Sequence, residues 1–274
     1  MANIRILYNN IADIATPSAT TAISAELGAD NLLTEIKTQI FRSSNLTPTI
    51  TYDWSTNVQS INCVILPCTN LTESSTIRIK LYDTLLSVLY DSGAISAVRS
   101  DNLYVGPLPY NVNLFSFGFF SKTAIWLPST INNVSKMDII LSDPSNAFGY
   151  IDCSRVLAGV YWEPTYNIEN GIQLNIIDES ATSRTNAGNL IANRGFIYDR
   201  ISFNYSLLPE SDKVILGNII RAVGSNKNFF TSLFPNSSNG AEEHDFMIYG
   251  KRSNSSLTYK IFGFYNHSMD IVSW

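Results

Sequence analysis

Residues 137–160 read MDIILSDPSNAFGYIDCSRVLAGV, and the fold class turns on this stretch. Ile139, Ile140 and Leu141 form one apolar run; Tyr150, Ile151, Cys153, Val156, Leu157 and Val160 carry a second; Asp143, Pro144, Ser145, Asn146 and Gly149 stand between them. Each of the intervening residues favours a turn for its own reason: Pro fixes φ, Asn and Asp bond their own backbone, and Gly tolerates positive φ. Two apolar strands joined by a turn, with no catalytic pattern inside, predict a scaffold of β-sheets.

Further strand signals lie upstream at 49–54, 60–66, 76–82, 85–90, 115–120 and 122–127. Ile77, Ile79 and Leu81 alternate with Arg78, Lys80 and Tyr82, which is the period of a strand with one face on a core. Cys63-Val64-Ile65-Leu66 is continuously apolar and predicts a central strand covered on both faces. Turn punctuation at Asp91-Ser92-Gly93, Gly106-Pro107 and Asp143-Pro144 separates many short strands with almost no helical periodicity, so the chain reads as mainly β. Residues 41–157 are expected to form a jelly-roll β-sandwich, with residues 1–40 as an N-terminal arm or edge segment. Residues 158–274 are expected to form a second β-rich domain, with strands at 171–177, 196–207, 246–250 and 257–266. One α-helix is expected at 209–223, opened by Pro209, Glu210 and Asp212, striped by Ile215, Ile219, Ile220 and Val223, and stopped by Gly224.

Composition narrows the function. In 274 residues, 18 Lys and Arg face 23 Asp and Glu, for a net charge of −5 and a pI near 5.0, which offers no electrostatic attraction to nucleic acid. The charged fraction of 15% is low against a usual ~25%, and Asn, Ser and Thr fill the difference. Such a neutral polar surface suits a subunit covered by neighbours, or a lectin. No segment approaches the ~20 consecutive apolar residues of a membrane span, and the start, MANIRILYNNIADIATPS, lacks the pattern of a secretory signal. Synthesis in a cytoplasm is therefore expected, with Cys63, Cys68 and Cys153 as buried, reduced thiols.

Catalytic signatures are missing. The sequence holds no G-x-S-x-G elbow, no G-x-G-x-x-G string and no P-loop, and its two histidines, His244 and His267, limit imidazole chemistry. The run Glu242-Glu243-His244-Asp245 reads as a solvated loop leading into a strand rather than a metal site, because the ligand set is incomplete. Asp138, Asp143, Asp152, Glu163, Asp178 and Glu179 could supply a carboxylate pair for sugar hydrolysis, although most sit where Asp is a turn former. The expectation is a non-enzyme with no catalytic residue, no cofactor and no metal. Aromatics make up 12% of the chain; Trp126 falls in an apolar run that reads as core, whereas Trp54, Tyr104 and Tyr110, near turn signals, are expected to be exposed and able to stack on a sugar.

The strings DPSNAFGYIDCSRVLAG at 143–159, NLLTEIKTQIFRS at 31–43 and NFFTSLFP at 228–235 together resemble tailed-bacteriophage virion proteins of the tail tip or baseplate, of the distal or minor tail type. The strand order resembles galactose-binding-like, discoidin-like sandwiches. The resemblance implies a structural protein of the virion, made in the host cytoplasm, that assembles into a trimeric or hexameric ring and contacts tube, tip and fibre proteins. The alternative it leaves open is a carbohydrate-binding module recognising host surface polysaccharide.

Overall fold

Alternation of the kind read in Ile77, Ile79 and Leu81 needs a partner strand in matching phase before it can build a core. The computed structural model supplies that partner, and it describes residues 2–98, 121–237, 240–261 and 263–274. In chain order the strands are β1 (Arg5–Leu7), β2 (Thr16–Ala19), β3 (Phe41–Arg42), β4 (Thr49–Asp53), β5 (Gln59–Thr69), β6 (Thr76–Tyr82), β7 (Val88–Asp91), β8 (Ile95–Ser96), β9 (Ser121–Val134) and β10 (Lys136–Ser142). They continue as β11 (Asp152–Cys153), β12 (Leu157–Gly159), β13 (Gln173–Asp178), β14 (Ala181–Arg184), β15 (Leu190–Asn193), β16 (Ile197–Pro209), β17 (Phe229–Ser232), β18 (Met247–Ile261) and β19 (Phe264–Ser273). The helices are α1 (Glu210–Val223) and α2 (Gly240–Asp245).

The chain divides into two compact units, the first made of residues 9–162 and 236–245, the second of residues 2–8, 163–235 and 246–274. Residues 1–40, expected as one arm, are shared out: β1 lies at the edge of a sheet in the second unit, and β2 at the edge of a sheet in the first.

The first unit is an antiparallel β-sandwich. One sheet runs β2-β4-β10-β6-β7, with β8 also on β6. In the other, β5 carries β9 on one edge and β12 and then β11, itself paired to β3, on the opposite edge. Registers place Ile139 between Ile50 and Ile79, and Met137 between Tyr52 and Leu81. These six side chains are buried, and they meet Phe41, Val64, Leu66, Cys153 and Ala158 of the facing sheet in one core. Their alternates point to solvent, where Thr51 Oγ1 donates to Asp138 at 2.7 Å. The run Cys63 to Leu66 is buried throughout, as its unbroken hydrophobicity predicts. The single strand expected after the hinge is instead the two short strands β11 and β12. Between them the buried Arg155 turns inward, donating to Asp13 at 2.8 Å and to the Leu32 carbonyl.

The second unit is a six-stranded antiparallel sheet, β1-β17-β18-β19-β16-β13, with α1 packed on β16 and β19. Ile201, Phe203 and Tyr205 of β16 and Met269 and Ile271 of β19 are buried, as are Leu216, Ile219 and Val223 of the helix. The helix stripe differs from the expected one. It runs through Asp212, Leu216, Ile219 and Val223, while Ile215 is exposed, because the buried Asp212 carboxylate accepts the backbone N–H of Thr165 at 2.7 Å and sets the rotation of the first turn. The strand expected at 257–266 straddles a reversal at Gly263: β18 continues through the polar run Ser253-Asn254-Ser255-Ser256, and β19 returns beside it.

Candidate functional site

The loop that follows β10 is built on a buried acidic side chain. Asp143 is fully buried and accepts the backbone N–H of Thr72 at 2.8 Å, the Thr72 hydroxyl at 2.6 Å and the Asn146 side-chain amide at 3.2 Å. A carboxylate so desolvated needs such donors. Asn146 passes the constraint on: its amide also donates to the Asn70 carbonyl at 2.9 Å, and its Oδ1 accepts the Phe148 N–H at 3.0 Å. Gly149 then takes φ = +76°, a left-handed conformation that any side chain would resist. Asn70 secures the exit, donating to the Tyr150 carbonyl at 3.1 Å and accepting the Asp152 N–H at 2.8 Å.

The loop therefore presents Phe148 rigidly, with 59% of its surface in water. Its ring lies 5.9 Å from that of Tyr150 at an interplanar angle of 35°. On Tyr150 sits the Arg42 guanidinium, 3.9 Å from the ring centroid, and Arg42 grips Asp152 with two hydrogen bonds, Nε to Oδ1 at 2.7 Å and Nη2 to Oδ2 at 2.8 Å. Those bonds raise the Arg42 pKa above its ordinary value, so the guanidinium keeps its charge. An aromatic platform beside a fixed fork of donors and acceptors can take the apolar face of a ring and bond the hydroxyls at its rim.

Of the three aromatic residues nominated from the sequence, Trp54 is corrected. It is 4% exposed, its ring stacks with that of Tyr52, and its indole N–H donates to the Ile11 carbonyl at 2.8 Å. The turn beside it is real, but the side chain folds inward and offers no face to a ligand. Tyr104 and Tyr110, with the strand expected at 115–120, lie outside the described residues. Trp126 is only partly buried; its indole N–H donates to Glu243 at 3.0 Å and its ring meets Tyr161 edge-on. The run 242–245 is likewise not a solvated loop: it belongs to α2, and Glu243 is buried, accepting the Asn236 N–H at 3.0 Å as well. Phe148, Tyr150, Arg42 and Asp152 were not singled out as ligand residues by sequence. The available signal was a bulky apolar residue, Phe148, set against Gly149 inside a run of turn formers.

The acids weighed for sugar hydrolysis all hold structure. Asp152 pairs with Arg42 and Glu163 with Arg5, Asp178 caps the Ser180 N–H, and Glu179 accepts the Tyr198 hydroxyl at 3.0 Å. Cys63, Cys68 and Cys153 are buried thiols that form no disulfide among the described residues, and burial pushes the Cys68 and Cys153 thiols up. Among the described residues no three His, Cys, Asp or Glu side chains gather as a metal site would require.

No protein-family model matches the chain, and no curated protein matches it. Among solved structures, the chain is similar to chitosan-binding module 1 of a chitosanase/glucanase from Paenibacillus sp. IK-5, at 12% identity and a TM-score of 0.38 over 56% of this chain and 99% of that one. It is also similar to a truncated AlyQ with CBM32 and alginate lyase domains, at 12% identity and a TM-score of 0.35 over 75% of this chain and 49% of that one. Likenesses of this size say nothing about what the present chain binds.

Proposed function

We propose that the first unit is a non-enzymatic carbohydrate-binding sandwich whose sugar platform is Phe148 with Tyr150, rimmed by Arg42 and Asp152. The observation that carries this reading is the exposed Phe148 ring held on a loop already fixed by Asp143, Asn146 and Asn70. An apolar ring left in water costs free energy unless something covers it, and a loop ordered before binding loses little entropy on contact. The expected affinity is that of a single shallow platform, with Kd between about 1 μM and 1 mM. Calorimetric titration against neutral and acidic polysaccharide fragments tests it. Phe148→Ala should weaken binding about tenfold or more, a change of roughly 1.4 kcal/mol, with an unchanged melting temperature. A folded wild-type protein that binds none of these glycans would overturn the proposal.

A second reading, a structural subunit of a phage tail tip acting through ring assembly in the virion, has one observation in its favour: the second unit exposes an apolar β-ribbon on which no other element packs among the described residues.

A further inference from the structure

The ribbon grows from the edge of the six-stranded sheet. β13 pairs with β16. The ladder continues through the bond from Glu179 N–H to the Phe196 carbonyl at 3.0 Å, then into β14 and β15, which among the described residues pair only with each other. At the junction the backbones cross so closely that a Cβ on Gly195 would sit 2.3 Å from the Glu179 carbonyl carbon. Every residue of β14 and β15 is exposed. A two-stranded ribbon with no packed face is marginal in water. This one is also apolar: Ile176 is 72% and Phe196 81% exposed, and Leu190, Ile191 and Ile197 are exposed with them. Single exposed hydrophobic residues need no explanation, but Leu190 and Ile191 on the ribbon, with Ile176, Phe196 and Ile197 at its base, leave apolar side chains on both of its faces, more than scattered exposure accounts for. Along the same outer edge β13 contains no Pro, Lys or bulge, three of the devices that keep natural edges from pairing.

From this we infer that the ribbon is an interface with a second copy of this chain, formed by antiparallel pairing of the outer edge of β14 across a two-fold axis. The charges select that partner. Asp178 and Glu179 lie at the base of the outer strand and Arg184 at its tip. One Arg184 guanidinium nitrogen donates to the Gly188 carbonyl at 3.1 Å, and a guanidinium has five N–H donors in all. With Ala181 facing Ala181 of the second copy, Arg184 falls opposite Asp178, and by symmetry the match is made twice. In a two-fold contact every pairing repeats, so the patch is complementary to itself. A parallel arrangement in register would oppose like charges instead. The inference does not depend on the sugar reading, because Phe148 belongs to the other unit.

Light scattering and sedimentation of the whole chain at up to about 100 μM test it, with Phe148→Ala as a control that must leave the mass unchanged. A reversible dimer, or an even-numbered assembly of dimers, is expected. Arg184→Asp alone and Asp178→Arg alone should each raise the dissociation constant about tenfold or more, and the two together should return it to within about threefold of wild type. All four residues of β14 are exposed, so the Arg184 variant folds, which far-UV circular dichroism verifies for each protein. A monomer throughout the range, an odd-numbered ring, or a double variant no better than the singles would each overturn the inference.

Discussion

His267 shows how a single residue can set the response of this fold to acid. It lies on β19 with 3% of its surface exposed, and neither ring nitrogen has a hydrogen-bond partner among the described residues. Its ring faces Tyr205 at 6.3 Å. Burial, reinforced by the Arg252 charge, lowers its pKa to about 4. The unfolded chain, with a histidine pKa near ~6.5, takes up a proton between pH 6.5 and 4 where the native state does not. The neutral imidazole's contribution is therefore fully present above pH 6.5 and is lost as pH falls through about 4, a change of about 3 kcal/mol. Urea unfolding at pH 7 and pH 4 checks this: His267→Phe should flatten the acid limb relative to wild type by about that amount. Equal pH slopes for the two proteins would show that His267 is already charged in the fold.

At the scale of elements, the loop between β10 and β11 links backbone conformation to binding. Gly149 sits at positive φ, and although a Cβ there would meet no atom within 4 Å, the conformation itself costs an L-residue about 1–2 kcal/mol. Gly149→Ala is expected to populate other loop conformations. It should lower glycan affinity severalfold to about tenfold, because only the competent fraction binds, with little change in the melting temperature of the sandwich. Titration beside thermal unfolding distinguishes the outcomes, and an affinity equal to wild type would mean that the loop's order is irrelevant to binding.

The same elements show what a sequence discloses. β6 was legible to its boundaries, because Thr76–Tyr82 alternates in a strict period of two; β5 was legible as a strand because its apolar run is unbroken, but it continues to Thr69, three residues past the expected end at Leu66. β18 was not: Ser253-Asn254-Ser255-Ser256 has the composition of a loop, and only its pairing with β19 makes it a strand, as pairing often outweighs propensity. The burial of Trp54 depends on the Ile11 carbonyl far upstream, and the exposure of Phe148 on bonds from Asn146 and Asn70. No local pattern encodes either.

At the scale of the whole molecule, neither unit is one continuous piece of chain. The sandwich takes residues 236–245 from near the C-terminus, including the Glu243 that receives the Trp126 indole N–H. The second unit takes residues 2–8 from the other end, where β1 pairs with β17 through Arg5 to Ser232, Ile6 to Thr231 and Leu7 to Phe230. Ile4 and Ile6 are fully buried, Ile4 N–H donates to the Asn167 side chain at 3.0 Å, and Arg5 bonds Glu163 at 3.0 Å. A fragment of residues 158–274 thus bares the edge of β17, all four residues of which are otherwise buried. It should melt well below the corresponding transition of the full chain or aggregate through that edge. A synthetic peptide of residues 1–9 supplied in trans should add as a strand and raise the fragment's melting temperature in proportion to the logarithm of its concentration above Kd. A peptide with Ile4 and Ile6 both replaced by Ser should fail to do so. If the fragment alone melts as the full chain does and ignores the peptide, β1 is dispensable and the second unit is complete without it.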